Sequence, residues 1–246
     1  MKALQIFLKM TILTGAMLLI LPGCTVKQAN VAPEGLLTVL GPLPGFSPED
    51  LPDDWAIEKN GSLDVSQLRI VIKDGIPSLK ITNAEDSFIV VRRTKAMMLA
   101  TPFLSWSWFI EPPSTSGYHP VRMVIGFYGG DPASRSGGGQ PFRWFGSSLP
   151  THDRAMSLTW GESALQRGTL VAPPPGSTNA APRYTVRGGR ENAGSWWLET
   201  VDLSDLYRQI WPQDDSAKAQ IVFIGIAAAA GRAKAPAHVS GITLSR

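Results

Sequence analysis

The side chains of this sequence that could do chemistry fall into four groups. The first is an aromatic and arginine cluster, Phe142-Arg143-Trp144-Phe145, with Arg135 and the run Gly137-Gly138-Gly139 just upstream. A flat ring beside a guanidinium suits stacking on a sugar or a cation–π contact with a partner. The cluster lies in 129–154, 26 residues with little periodicity. That is long for a loop inside a compact domain, and such loops often carry function. Arg135, Phe142, Arg143 and Trp144 are therefore the candidate ligand-binding residues. The same aromatics could instead fold back as a lid over one end of the domain.

The second group is carboxylates. Glu111, Glu162, Glu191, Glu199 and Asp202 could supply the pair that glycoside hydrolysis needs, but nothing in the sequence sets their separation. The third is His119, His152 and His238, scattered without metal-ligand spacing. His152 and Asp153 are neighbours, and neighbours on an extended chain point apart, so this pair reads as a solvated loop. The fourth is Ser163 in Gly161-Glu162-Ser163-Ala164-Leu165. It approaches a nucleophile elbow, but Leu165 stands where a second glycine allows the sharp turn, so Ser163 reads as a turn serine. Zinc-protease, phosphate-loop and dinucleotide motifs are absent. No catalytic residue, metal ligand or cofactor is assigned, and a non-catalytic role is favoured over an enzyme.

Charge adds little. The formal net charge is +3, and without Lys2 and Lys9 of the leader it falls to 21 basic against 20 acidic residues. Nothing there points to nucleic acid. With 43% hydrophobic and 17% charged residues, the chain is not a disordered polar one.

The N-terminus carries two lysines, then the apolar run 10–21, then Leu21-Pro22-Gly23-Cys24. Twelve apolar residues are too few to span a bilayer and suit a signal-peptide core. The tail of this leader resembles the lipobox of bacterial lipoproteins. The resemblance implies that 1–23 is removed and that Cys24, the one cysteine of the chain, carries a thioether-linked diacylglycerol and an N-acyl chain. Together these suffice for stable anchoring. Thr25, rather than an aspartate, follows, which in Gram-negative lipoproteins implies the outer membrane, facing the periplasm. Residues 24–51 hold Pro33, Pro42, Pro44 and Pro48 and read as an extended tether. Leu36, Leu37, Val39 and Leu40 leave a packed arm as the alternative.

From residue 52 to 246 the pattern is short apolar alternation broken by turn signals. It predicts strands at 68–75 and 77–82, closing as a hairpin on Lys73-Asp74-Gly75, and at 87–93, 103–111 and 121–128. Further strands are predicted at 155–160, 183–188, 196–202, 220–227 and 238–245, with one short helix at 203–211 capped by Asp202 or Ser204. Period two puts Leu104, Trp106, Trp108 and Ile110 on one face, and Val121, Met123, Ile125 and Phe127 on another. Without alternating βαβ units, this predicts an all-β, antiparallel two-sheet sandwich, jelly-roll-like, with one short helix.

The stretch Thr101-Pro102-Phe103-Leu104-Ser105-Trp106-Ser107-Trp108 resembles the Thr-Pro-x-Leu-x-Trp-x-Trp strand of the bacterial domain-of-unknown-function family 3047. Ser87 to Arg92, Arg122, Trp160, Gly194-Ser195-Trp196 with Asp205, and Ile224-Gly225-Ile226-Ala227 fit the same family in order. The resemblance implies a β-jelly-roll similar to carbohydrate-binding domains. It also implies two acidic clusters, and this chain departs from both: Gly117 and Tyr118 stand at one, Gly231 and Ala233 at the other. Converging acids would suit a hard cation or a polar ligand; their loss implies no metal here.

The sequence thus points to a periplasm-facing outer-membrane lipoprotein whose non-catalytic sandwich binds an envelope polysaccharide or protein. An enzyme acting on envelope glycans through a carboxylate pair, or a structural envelope-assembly subunit, are the alternatives. The anchor is tested directly by radiolabelled palmitate: the wild-type chain takes the label and Cys24→Ala does not. Label retained on the variant contradicts the lipobox.

Overall fold

Alternating apolar residues become two sheets. The computed structural model describes residues 26–41, 46–112, 114, 116–133, 148–173 and 181–246. Cys24, Arg135, Phe142, Arg143 and Trp144 lie outside the described residues. The chain order is β1 (Ala29–Asn30), β2 (Leu37–Leu40), β3 (Trp55–Lys59), β4 (Leu68–Lys73), β5 (Ile76–Thr82), β6 (Phe88–Met97) and β7 (Phe103–Ile110). It continues with β8 (Val121–Tyr128), β9 (Arg154–Gly161), β10 (Leu170–Val171), β11 (Arg183–Gly188) and β12 (Trp196–Asp202). Helix α1 (Leu203–Ile210) follows, then β13 (Gln220–Ala228) and β14 (Pro236–Ser245).

One sheet runs β1-β6-β13-β8-β9-β11-β10, with β3 also on β6; the other runs β12-β7-β14-β5-β4, with β2 also on β14. Strands β6 and β14 are long enough for two short strands to share one edge. Pairing is antiparallel except for β1 with β6 and β9 with β11. The fold is therefore the all-β two-sheet sandwich with one short helix read from the sequence.

Period two explains the core. Leu104, Trp106, Trp108 and Ile110 of β7 face Val121, Met123, Ile125 and Phe127 of β8 across the interior, and all eight are fully buried. The Trp108 ring meets Trp106 and Trp160 edge-on, each at 5.5 Å, which aligns ring edges with ring faces. Trp197 sits beside Trp108 and packs on the core, while its neighbour Trp196 lies beside Phe109 on the opposite face. The β4–β5 hairpin closes on Asp74 and Gly75 with φ of 52° and 80°, the left-handed pair that a two-residue turn needs. Asp202 caps α1 by accepting from the Ser204 and Asp205 N–H groups.

The segment expected to be a tether is partly built into the sandwich. Strand β1 pairs with β6, and β2 pairs with β14, burying Leu37, Val39 and Leu40. Arg92 fixes this arm: its guanidinium donates to the Thr38 and Val39 carbonyls at 2.7 and 2.9 Å and to Asp54 at 2.8 Å. Prolines misled the reading because they flank these apolar residues rather than interrupt them. Strands β1, β2, β3 and β10 were not predicted, since each is short.

Where β11 of one sheet meets β12 of the other, the sandwich is closed by charge. Glu199 is buried, and its Oε1 accepts from Arg187 Nε at 2.6 Å and from Trp108 Nε1 at 3.3 Å. The Arg187 guanidinium also lies 3.8 Å over the Trp197 ring. Removing one member of such a pair strands a buried charge. Glu199→Ala is expected to cost about 3–5 kcal/mol in urea unfolding, and Arg187→Met with Glu199→Leu to recover most of it. A single variant as stable as wild type contradicts this role.

Candidate functional site

Three loops far apart in sequence meet at the end of the sandwich where β8 begins and β9 and β11 finish. Residues 116–120, 161–163 and 189–191, with Ala235, line a cleft of about 310 Å³. Backbone bonds hold the loops together: His119 N–H donates to the Trp160 carbonyl at 3.0 Å, and Gly189 N–H to the Gly161 carbonyl at 3.1 Å. Gly188 has to be glycine, because a Cβ there would sit 2.5 Å from the Ser163 carbonyl oxygen. The wall at 189–191 is braced from behind, since Asn192 Nδ2 donates to the Gly188 carbonyl and accepts through its own carbonyl from Trp197 Nε1.

His119 gives the cleft its chemistry. Its ring is buried, and Nδ1 accepts from the Val121 N–H at 3.2 Å. The neutral ring therefore carries its proton on Nε2. Burial pushes the imidazole pKa down to about 4, so the ring is neutral at pH 7. Nε2 is buried and finds no partner among the described residues. The cleft is also lined by Tyr118, half-buried with the Arg183 guanidinium 4.7 Å from its ring, and by the exposed side chains of Glu162, Arg190 and Glu191. Trp160 closes the floor. The cleft thus offers two carboxylates, a guanidinium and an aromatic ring, with the neutral His119 ring buried in its lining. These groups can hydrogen-bond hydroxyls and pack against a sugar face.

The sequence candidates separate here. Glu162 and Glu191 come to one cleft, but the other carboxylates serve structure: Glu199 in its ion pair, Asp202 as a cap, and Glu111 between Lys73 (3.8 Å) and His238 (3.3 Å). Ser163 is a turn serine: its Oγ accepts from Leu165 N–H at the start of a 3₁₀ turn, and Gln166 reaches back to the Ser163 N–H. The expected solvated loop at His152 is wrong. His152 is buried edge-on against Phe223 at 5.0 Å, and Asp153 accepts from Gly129 N–H. Apolar outer-face residues of β6, β8 and β13 needed cover there, which periodicity within one strand does not reveal.

Of the positions where the resemblance implied acids, one pair lies at the cleft and the other beside Asn83. Gly117 and Tyr118 line the cleft, while the Gly231 and Ala233 carbonyls accept from Asn83, whose Oδ1 holds the Ala235 N–H at 2.7 Å. Among the described residues no group of three His, Cys, Asp or Glu side chains could hold a metal ion. A second cleft of about 370 Å³ lies at the opposite end, lined by Leu170, Pro173, Pro182, Ile210 and Trp211. Its one arginine is already engaged: Arg154 grips Asp214 through two bonds and Asp131 through a third contact. In the residues themselves only the Gly188-Gly189 pair, which marks a close backbone approach, hints at the His119 cleft.

No protein-family model matches the chain, and no curated protein matches it. Solved structures resemble it at low scores. A family 11 carbohydrate-binding module from Clostridium thermocellum, in complex with a β-1,3-1,4-mixed-linked tetrasaccharide, is 9% identical with a TM-score of 0.41, over 87% of this chain and 97% of that one. Endoglucanase 3 of Trichoderma harzianum, from glycoside hydrolase family 12, is 10% identical with a TM-score of 0.39, over 90% and 96%. TmCBM61 in complex with β-1,4-galactotriose is 11% identical with a TM-score of 0.34, over 78% and 88%.

The buried neutral imidazole has a consequence for stability. Below the ordinary histidine pKa of 6.5 the unfolded chain takes up a proton at this ring, but the folded chain does so only near pH 4. The stabilisation is complete above pH 6.5 and lost as pH falls toward 4, about 3 kcal/mol in all at 1.36 kcal/mol per pH unit. His152 is shifted downward by burial as well, so the contrast is with a variant. Urea midpoints at pH 7 and pH 4 are expected to differ less in His119→Asn than in wild type; equal differences contradict the assignment.

Proposed function

We propose that this protein is a lipid-anchored component of the cell envelope whose end cleft binds a glycan without cleaving it. The observation that carries the binding reading is the His119 Nε2–H. It is a neutral donor, buried and without a partner among the described residues, on a ring that lines a cleft shared with Tyr118, Arg190, Glu162 and Glu191. A buried donor left unpaired costs about 1–3 kcal/mol, and in this reading the cleft lining shifts to let a sugar hydroxyl reach it. Sugars offer hydroxyl edges to carboxylates and guanidinium and a C–H face to an aromatic ring. The anchor in this reading is Cys24, and Thr25 after it places the protein on the inner leaflet of the outer membrane, facing the periplasm. Trp144, with Arg143, Arg135 and Phe142, remains a second ligand locus of the same reading.

One observation favours a rival. Glu162 and Glu191 line the same cleft, the arrangement from which a glycosidase draws its acid and its base. Hydrolysis would make the cleft an active site.

The test is thermal unfolding of the full mature chain against a panel of envelope glycans, with products followed by chromatography. A glycan at about one hundred times its dissociation constant adds roughly 2.7 kcal/mol, or about 5–10 °C at this size. The shift is expected to vanish in Tyr118→Ala and to shrink in His119→Phe, with the glycan intact. A shift that survives both and disappears in Trp144→Ala moves the site to the aromatic–arginine cluster. Products that disappear in Glu191→Gln establish the rival.

A further inference from the structure

We infer that the groove beside β1 is the face that rests on the membrane, with the lipid of the anchoring leaflet as its occupant; this rests on the lipidation of Cys24 proposed above. Strand β1 begins at Ala29, so residues 25–28 alone separate Cys24 from the sheet. An extended chain advances at most about 3.5 Å per residue, which puts Ala29 within about 18 Å of the lipidated residue. A domain on so short a leash lies against the bilayer rather than standing off it. Some part of its surface must meet lipid.

The groove is built for that contact. It measures about 380 Å³, and Val31 and Ala32, which leave β1, form one wall, while Ala96, Met97 and Ala100 form the other. The charged residues that line it, Lys95 and Arg246, are both cations. Met97 in its wall is 41% exposed, and Leu99, next to Ala100 in sequence, and Val26, three residues before β1, are 48% and 63% exposed, a cost in water that an acyl boundary removes. Apolar side chains flanked by cations match the layering of a leaflet, with acyl chains below and headgroup phosphates above. Lys95 sits opposite Asn30 of β1, on the strand nearest the anchor.

The orientation also suits the glycan cleft. Groove and cleft lie at opposite ends of the sandwich, at the Met97 and Phe88 ends of the ten-residue strand β6. At about 3.3 Å per residue that is roughly 30 Å. With the groove down, the cleft opens away from the bilayer.

The experiment uses the full mature chain in vesicles of phosphatidylethanolamine and phosphatidylglycerol containing lipids spin-labelled high on the acyl chain. A thiol-reactive fluorophore is placed at Leu99→Cys or, at the cleft end, at Leu165→Cys, where the native side chain is 93% exposed. Quenching is expected to be several-fold stronger at 99 than at 165, and to fall when Lys95→Glu and Arg246→Glu are added. Equal quenching at both sites, or none at 99, in protein that floats with the vesicles overturns the docking face and leaves the anchor standing. Protein that stays in solution and takes the fluorophore at Cys24 overturns the anchor, and the docking face with it.

Discussion

The two sheets of this sandwich are tied together beside the cleft by one buried carboxylate. Hydrophobic alternation is enough to stack two sheets, but it does not say where their open side closes or how the loops beyond it are held. Glu199 does both. It takes a hydrogen bond from Trp108 within its own sheet and an ion pair from Arg187 of the other. A charge desolvated this far holds both partners in place, because losing either leaves it uncompensated. Arg187 is followed at once by Gly188 and Gly189, which turn the chain into the cleft wall. The site is therefore an extension of the closure.

The cleft lining leaves one histidine bond unmade among the described residues. Most buried polar atoms in a folded chain are paired. His119 spends Nδ1 on the Val121 N–H, and burial keeps its ring neutral, so Nε2 is committed to being a donor. A neutral donor recognises a hydroxyl or a carbonyl without demanding charge. The charged groups near it are exposed side chains at the rim, where they can adapt to the edge of a ligand. The second cleft has the opposite economy: Arg154 is saturated by two aspartates and offers little to a newcomer.

Much of the fold was legible in the residues. The Trp106–Trp108 strand, the Asp74-Gly75 turn, the Asp202 cap and the burial of alternate residues in β8 all follow from local rules. What escaped was non-local. Strands β1 and β2 are short, sit among prolines, and exist because β6 and β14 have edge to spare and Arg92 reaches their carbonyls. His119 and His238 show no partner in sequence and His152 only its neighbour Asp153, yet each meets a residue at least thirty positions away, in Trp160, Glu111 or Phe223. The cleft was invisible for the same reason, since no stretch of sequence contains more than one of its walls. Arg135, Phe142, Arg143 and Trp144 were chosen on loop length and residue type, which identify a candidate surface without identifying what it faces.

The proposed glycan site turns on the neutral imidazole of His119, buried in the cleft lining with Nε2–H unpaired among the described residues. The most direct measurement is nitrogen-15 NMR of the histidine rings in the full mature chain, titrated in pH and then with oligosaccharides. The expected result is a His119 ring that stays in the Nε2–H tautomer down to about pH 4, with an Nε2 resonance that moves when a glycan binds. A His119 that protonates near pH 6.5, or a resonance unmoved by a glycan that demonstrably binds, contradicts it.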